Sequence, residues 1–359
     1  MPTPKFSALA SGVAATPEKN IANIQALRGV ATLLVLLGHI ALYESRTSFP
    51  KILPNWLFEL GSAGVDLFFV ISGYVMVMIS GYGISGLNAA GSFLVRRAFR
   101  IYPVYWLFSI IVLLVVLIQP NWIHREGGVD QINYLNSFLL IPDEVYAPLV
   151  GQGWTLIHEM YFYMVFTLVV LARSKIRPYL ILGWIVFLFV SNWLLPDPTN
   201  PFLRTASSPL TFEFIFGCII AVLHKRGIIN FGRTAFCIGI FVLCANPEHL
   251  GTERILWFGI PCTCIVYGAV AMEQRNQIIF PQWLKKAGDI SYSIYLSHIL
   301  VLSACLKVWK PFSAEGYFDN AILIVMMIVA AWITGFMVYR YLEHPIMISS
   351  KLLLKRWGL

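Results

Sequence analysis

Ten apolar runs punctuate this chain, at residues 24–42, 62–80, 101–119, 153–172, 178–195, 209–224, 234–246, 254–272, 289–306 and 320–341. About 20 such residues take a helix across a bilayer, where only internally closed backbone hydrogen bonding survives. The runs therefore predict an all-α integral membrane protein, a bundle of about ten transmembrane helices. The seventh run is the weakest, being short and interrupted by Asn246-Pro247.

Charge placement tests that count independently. The 26 Lys and Arg residues, threaded through ten spans, divide into 19 on the side that holds the N-terminus and seven on the other. Cytoplasmic segments collect Lys and Arg, so both termini are expected in the cytoplasm. The net charge of +8 would suggest nucleic acid in a soluble protein; in a chain 58% hydrophobic and 12% charged it reports topology, and no nucleic-acid partner is expected. Residues 1–22 read as a flexible cytoplasmic tail, 23–346 as one membrane domain and 347–359 as a basic cytoplasmic tail. The longest connection, about residues 120–152, falls outside and carries Trp122, His124, Asp130, Asp143 and Glu144; a loop of that length is usually functional or disordered. Six cysteines lie in apolar segments without zinc-like spacing, so they read as packing residues and no metal is expected.

Ionisable groups inside spans are functional candidates by default. The first span carries Arg28 near its start and His39 near its end. Eleven steps of about 100° return them to one face, roughly 16 Å apart along the helix. Arg96, Arg97 and Arg100 stand at the inner end of the third span, at spacings that let them converge on one anion, and arginine forks suit phosphate. Asp66 in Gly64-Val-Asp-Leu-Phe-Phe-Val-Ile-Ser-Gly73, and His158 with Glu159 in Gly153-Trp-Thr-Leu-Ile-His-Glu159, are expected at His39's depth, lining one polar cavity. A structural polar network is the competing account. Glu213 is a further outer-half carboxylate, and His298 sits near mid-membrane, where cavity lining and packing weigh equally. Glu343 reads most simply as a surface carboxylate, with pairing to an inner arginine as the alternative. Pro345 reads as a stop signal.

An anion-binding cluster with an imidazole roughly 16 Å away matches a carrier with a phosphorylated head and a reactive group on a long thin arm. The pantetheine arm of coenzyme A spans about four to five extended residues, roughly 16 Å. His39 would then act as general base on an acceptor hydroxyl, oriented by Glu159 or Asp66. Acyl-CoA would be a co-substrate, with no permanently bound cofactor. A carrier that moves a glycolipid without bond chemistry is the rival from another class; it would not need the arginine-to-histidine separation.

These residues resemble the acyltransferase-3 family of bacterial membrane O-acyltransferases. The likeness rests on Arg28 and His39 with ten residues between, the stretch 64–73, Arg97 with Arg100, and Gly-Trp-Thr-Leu at 153–156 with Glu159 and Tyr163. It continues through Ser-Tyr-Ser-Ile-Tyr-Leu-Ser-His at 291–298 and Glu343 with Pro345. It covers about residues 23–346, and the Gly-Trp-Thr-Leu form resembles most the branch that acetylates exopolysaccharides. The resemblance implies transfer of an acyl group, usually acetyl, from cytoplasmic acyl-CoA to a hydroxyl of a sugar or glycolipid at a bacterial inner membrane. It also implies His39 as the catalytic residue and Arg28, Arg97 and Arg100 at the CoA. His158 is not carried over from the family pattern. No extra extracytoplasmic domain is seen in the sequence, so direct transfer to the final acceptor is expected; a small molecule such as a macrolide is the alternative acceptor.

Overall fold

The computed structural model describes residues 21–47, 50–80, 85–120, 132–144, 148–195, 198–245, 253–314 and 316–356, and these are helical with no strand among them. The part of the long connection that holds Trp122, His124 and Asp130 lies outside the described residues, as does the tail before residue 21.

In order, the helices are α1 (Ala22–Thr47), α2 (Trp56–Ile79), α3 (Leu87–Ile118), α4 (Tyr134–Leu139), α5 (Gly153–Leu171), α6 (Arg177–Leu194), α7 (Pro201–Ala206) and α8 (Thr211–Lys225). They continue with α9 (Gly232–Ala245), α10 (Ile260–Gln274), α11 (Gln282–Asp289), α12 (Ser291–Trp309), α13 (Tyr317–Val338) and α14 (His344–Arg356). Among the described residues nine helical stretches are long and apolar enough to cross a membrane, and α9, with 14 residues, is a shorter tenth. Each falls on one of the ten runs, so the chain is a multi-pass helical membrane protein.

Two ends differ from expectation. Helix α3 begins at Leu87, well before its apolar run, so Arg96, Arg97 and Arg100 ride on its first four turns. Apolarity marks only the lipid-matched part of a helix, and a polar continuation leaves no trace in it. At the other end, Pro345 does not stop the chain's last helix. A π-helical turn, Tyr339–Glu343, intervenes before α14, which runs to Arg356 in what reads from sequence as a tail. Proline is tolerated in a helix's first turn, where its missing N–H has no partner to lose. A second π turn, Ile255–Gly259, precedes α10.

Helix α2 sits centrally, packed between α1 and α8. Small residues permit this. A Cβ on Gly38 would come 2.8 Å from the Gly61 Cα across the α1–α2 contact, and one on Gly73 would be driven into the Phe214 carbonyl of α8. Without a hydrophobic drive between helices in lipid, such close backbone approach supplies the van der Waals contact that holds them together. Helix α5 packs on α3 and α12 on α13. The polar faces of α1, α2, α3, α5 and α12 are thereby turned toward one another.

Candidate active site

Those five helices enclose a cavity of about 120 Å³. Arg28 from α1, Ser72 from α2, Arg97 and Arg100 from α3, Thr155, Glu159 and Tyr163 from α5, and Ser291, Tyr292 and Tyr295 from α12 line it. Three guanidinium groups therefore share one chamber. Arg96 does not join them: one residue earlier on α3, it is exposed and its Nε donates to Ser92 Oγ at 3.0 Å on its own helix.

The three arginines are unequally engaged. Arg100 is ion-paired with Glu343, and its guanidinium lies 5.3 Å from the Tyr292 ring centre. Glu343 is 2% exposed and also accepts from Ser293 Oγ at 2.5 Å, so the surface reading of this carboxylate is corrected. The π turn that ends at Glu343 directs it inward. Arg28 donates to Ser291 Oγ at 3.0 Å and to Gln25 Oε1 at 3.3 Å. Arg97 lies about 6 Å from the Phe93 and Tyr163 rings, and its buried Nε has no hydrogen-bond partner. Leaving such a donor unmet is costly, and Arg97 forms no ion pair among the described residues, so its charge is available to an anion in the chamber.

Glu159 lies in this chamber, accepting from Tyr163 Oη and, at 3.1 Å, from Ser72 Oγ. It makes no hydrogen bond to His39. His39 Nδ1 is 2.9 Å from the Val35 carbonyl one turn earlier, so Nδ1 carries the proton and Nε2 presents its lone pair. The orienting role expected of a carboxylate thus falls to a backbone oxygen, a partner that no side-chain motif reveals. Opposite stands His298, its ring 4.9 Å from His39. His298 Nδ1 meets the Tyr295 carbonyl at 2.6 Å and its buried Nε2 has no partner. Tyr295 joins the two regions, lining the arginine chamber while its ring lies 5.8 Å from that of His298. Thr155 Oγ1, 2.7 Å from Tyr295 Oη, and Gln152, donating to the Leu296 carbonyl at 2.6 Å, fasten α5 to α12 here.

Asp66 stands elsewhere. Arg254 grips it with two bonds, of 3.0 and 2.7 Å, and Asp66 is fully buried. Glu213, also fully buried, lies against Asp66 and the Gly259 backbone, so two carboxyl groups share the Arg254 side of the bundle. His158, next to Glu159 in sequence, faces away from it into a separate cavity. The single polar chamber expected for His39, Asp66, His158 and Glu159 is therefore four environments. Arg254 could have been noticed as a cation against the prevailing charge bias at the mouth of an apolar run.

A multi-pass helical bundle that sets an arginine-lined chamber near two facing imidazoles, His298 buried and His39 half-buried, has the makings of a membrane-embedded enzyme. The chain belongs to the acyltransferase-3 family: the family's acyltransferase domain model matches residues 21–340. It is an acyltransferase. Among curated proteins it is similar to the exopolysaccharide production protein ExoZ of Rhizobium meliloti, 28% identical over 81% of this chain and 90% of that one. Nodulation protein 10 of Rhizobium leguminosarum bv. viciae is 22% identical over 71% of this chain and 76% of the relative. The putative peptidoglycan O-acetyltransferase YrhL of Bacillus subtilis is 24% identical over 92% of this chain but 55% of its own length. No solved structure matches.

Proposed function

We propose that the chain transfers an acyl group, acetyl, from cytoplasmic acyl-CoA to a hydroxyl of a sugar in an exopolysaccharide, lipopolysaccharide or lipid-linked glycan, within a bacterial inner membrane. The observation that supports this is the chamber shared by Arg28, Arg97 and Arg100, one of whose lining residues, Tyr295, lies with its ring 5.8 Å from that of His298, which in turn faces His39 at 4.9 Å. The excess of Lys and Arg on the N-terminal side supports cytoplasmic termini and a chamber mouth on the donor's side. The names of the exopolysaccharide and peptidoglycan relatives support a glycan acceptor.

In this reading Arg97, with Arg28 and Arg100, holds the phosphates of the donor, and the pantetheine arm reaches toward His39. His39 Nε2 takes the proton from the acceptor hydroxyl as its oxygen attacks the thioester carbonyl. The C–S bond breaks, the new C–O ester forms, and the thiolate leaves with the proton that His39 returns. Glu159 shapes the donor chamber through Tyr163 and Ser72. Asp66 supports the fold through Arg254.

The test is label transfer from acetyl-CoA by membranes carrying wild type or His39→Ala, with surface glycans examined for ester-linked label. Labelling by wild type and not by a normally inserted His39→Ala supports the reading. Equal labelling removes His39 from the chemistry, and no labelling by either favours a glycolipid carrier.

A further inference from the structure

On the opposite side of α5 from the arginine chamber lies a larger cavity, about 210 Å³. Its walls include Trp154 and His158 of α5, Asn192 of α6, Arg204 of α7, Asp143 and Ser208. His158 is 7% exposed and its Nδ1 is buried with no hydrogen-bond partner, an unmet group in a wall that is otherwise rich in polar side chains. Asn192 commits its amide nitrogen to the Leu188 and Ser207 carbonyls at 2.8 and 2.7 Å, which leaves its Oδ1 as an acceptor. Arg204 donates to the Asp143 carbonyl at 2.9 Å and ties α7 to the segment before α5.

We propose that this cavity is a saccharide-binding subsite for the acceptor glycan, an inference that rests on the reading of the chain as a glycan acyltransferase. Three features select this ligand. Among the described lining residues one arginine, Arg204, and one aspartate, Asp143, carry charge, so neither a phosphate nor a cation is favoured by them. Imidazole, amide and hydroxyl groups offer both donors and acceptors, as a polyhydroxyl ring requires. Trp154, its ring perpendicular to that of His158 with centres 5.9 Å apart, adds aromatic surface to the wall of the kind that the C–H face of a sugar packs on, and a lipid chain would leave the buried imidazole unmet. The cavity also lies at the starting end of α5, away from Arg173, Lys175 and Arg177 beyond its other end. In the proposed orientation that is the extracytoplasmic side, where a polymer is presented.

The probe is the surface polysaccharide of the source cells, deacetylated with alkali, cut to oligosaccharides and titrated calorimetrically against the purified full-length protein. Two variants, His158→Phe, which keeps the ring, and Ser208→Leu, which narrows the space without removing a side-chain hydrogen bond, are expected to weaken binding at least tenfold. Arg97→Ala, in the other chamber, is expected to bind the oligosaccharide like wild type. Gel filtration and thermal unfolding establish that each variant is folded. Wild-type affinity in both pocket variants, or no binding by wild type, overturns the subsite. Label transfer by wild type together with unweakened binding in the variants would leave the transferase standing and the subsite refuted; weakened binding without any label transfer would do the reverse.

Discussion

Removing the Glu343 carboxylate should cost stability more than it costs donor binding. Glu343 is closed off from solvent, and Arg100, its partner, keeps 19% of its side chain exposed. Truncating one member of a buried pair strands the other charge, at about 3–5 kcal/mol when both are fully enclosed. With about a fifth of the arginine still reachable by water, the lower end applies to Glu343→Ala, roughly 3 kcal/mol, or more than a hundredfold in the folding equilibrium. Glu343→Gln keeps an oxygen for Ser293 and should lose less, about 2 kcal/mol, close to the worth of a hydrogen bond to a charged group. The assay is equilibrium unfolding in detergent of wild type, Arg100→Gln, Glu343→Gln and the double variant. A coupling energy of about 1.5 kcal/mol or more is expected, since directly paired groups are strongly non-additive. Losses that add to within about 0.5 kcal/mol would refute the pairing as an energetic unit. Donor affinity provides the second readout. Glu343 competes with phosphate for Arg100, so Glu343→Gln should bind acetyl-CoA at least as tightly as wild type.

Other substitutions separate the remaining roles. Arg97→Gln should weaken acetyl-CoA binding by about 1.5–3 kcal/mol, more than tenfold, whereas Arg96→Gln should leave it within about twofold; titration of the purified variants decides. Asp66→Asn should destabilise the fold by about 3 kcal/mol, with much of the loss recovered when Arg254→Gln is added, as read by thermal unfolding. If instead Asp66→Asn abolishes transfer in a protein as stable as wild type, Asp66 belongs to the chemistry. Gly38→Val should push α1 from α2 and cost about 1–3 kcal/mol of overpacking, measured by unfolding in detergent.

What was legible in the sequence followed from local pattern. Each span was visible as a run of apolar residues, and the convergence of Arg97 with Arg100 followed from three residues of helical spacing. Pairings between distant helices had no such signal. Asp66 finds Arg254 across 188 positions and Arg100 finds Glu343 across 243, and no local period predicts either. Glu343 is the last residue of a π turn, whose wider winding shifts the phase at its end, so its inward face was hidden from a 3.6-residue count; Arg254 stands just before another such turn. His158 and Glu159 are a different case. Consecutive helical residues point about 100° apart, so their separation into two environments was available from geometry alone.

That separation makes α5 a party wall. Trp154 and His158 look into one chamber while Thr155, Glu159 and Tyr163 look into the other. An inserted or deleted residue in the first two turns would turn the rest of the helix by about 100° and take the side chains beyond it off the chambers they line. Over this stretch, then, the number of residues matters to both chambers together, whereas a substitution touches only the chamber that its side chain lines.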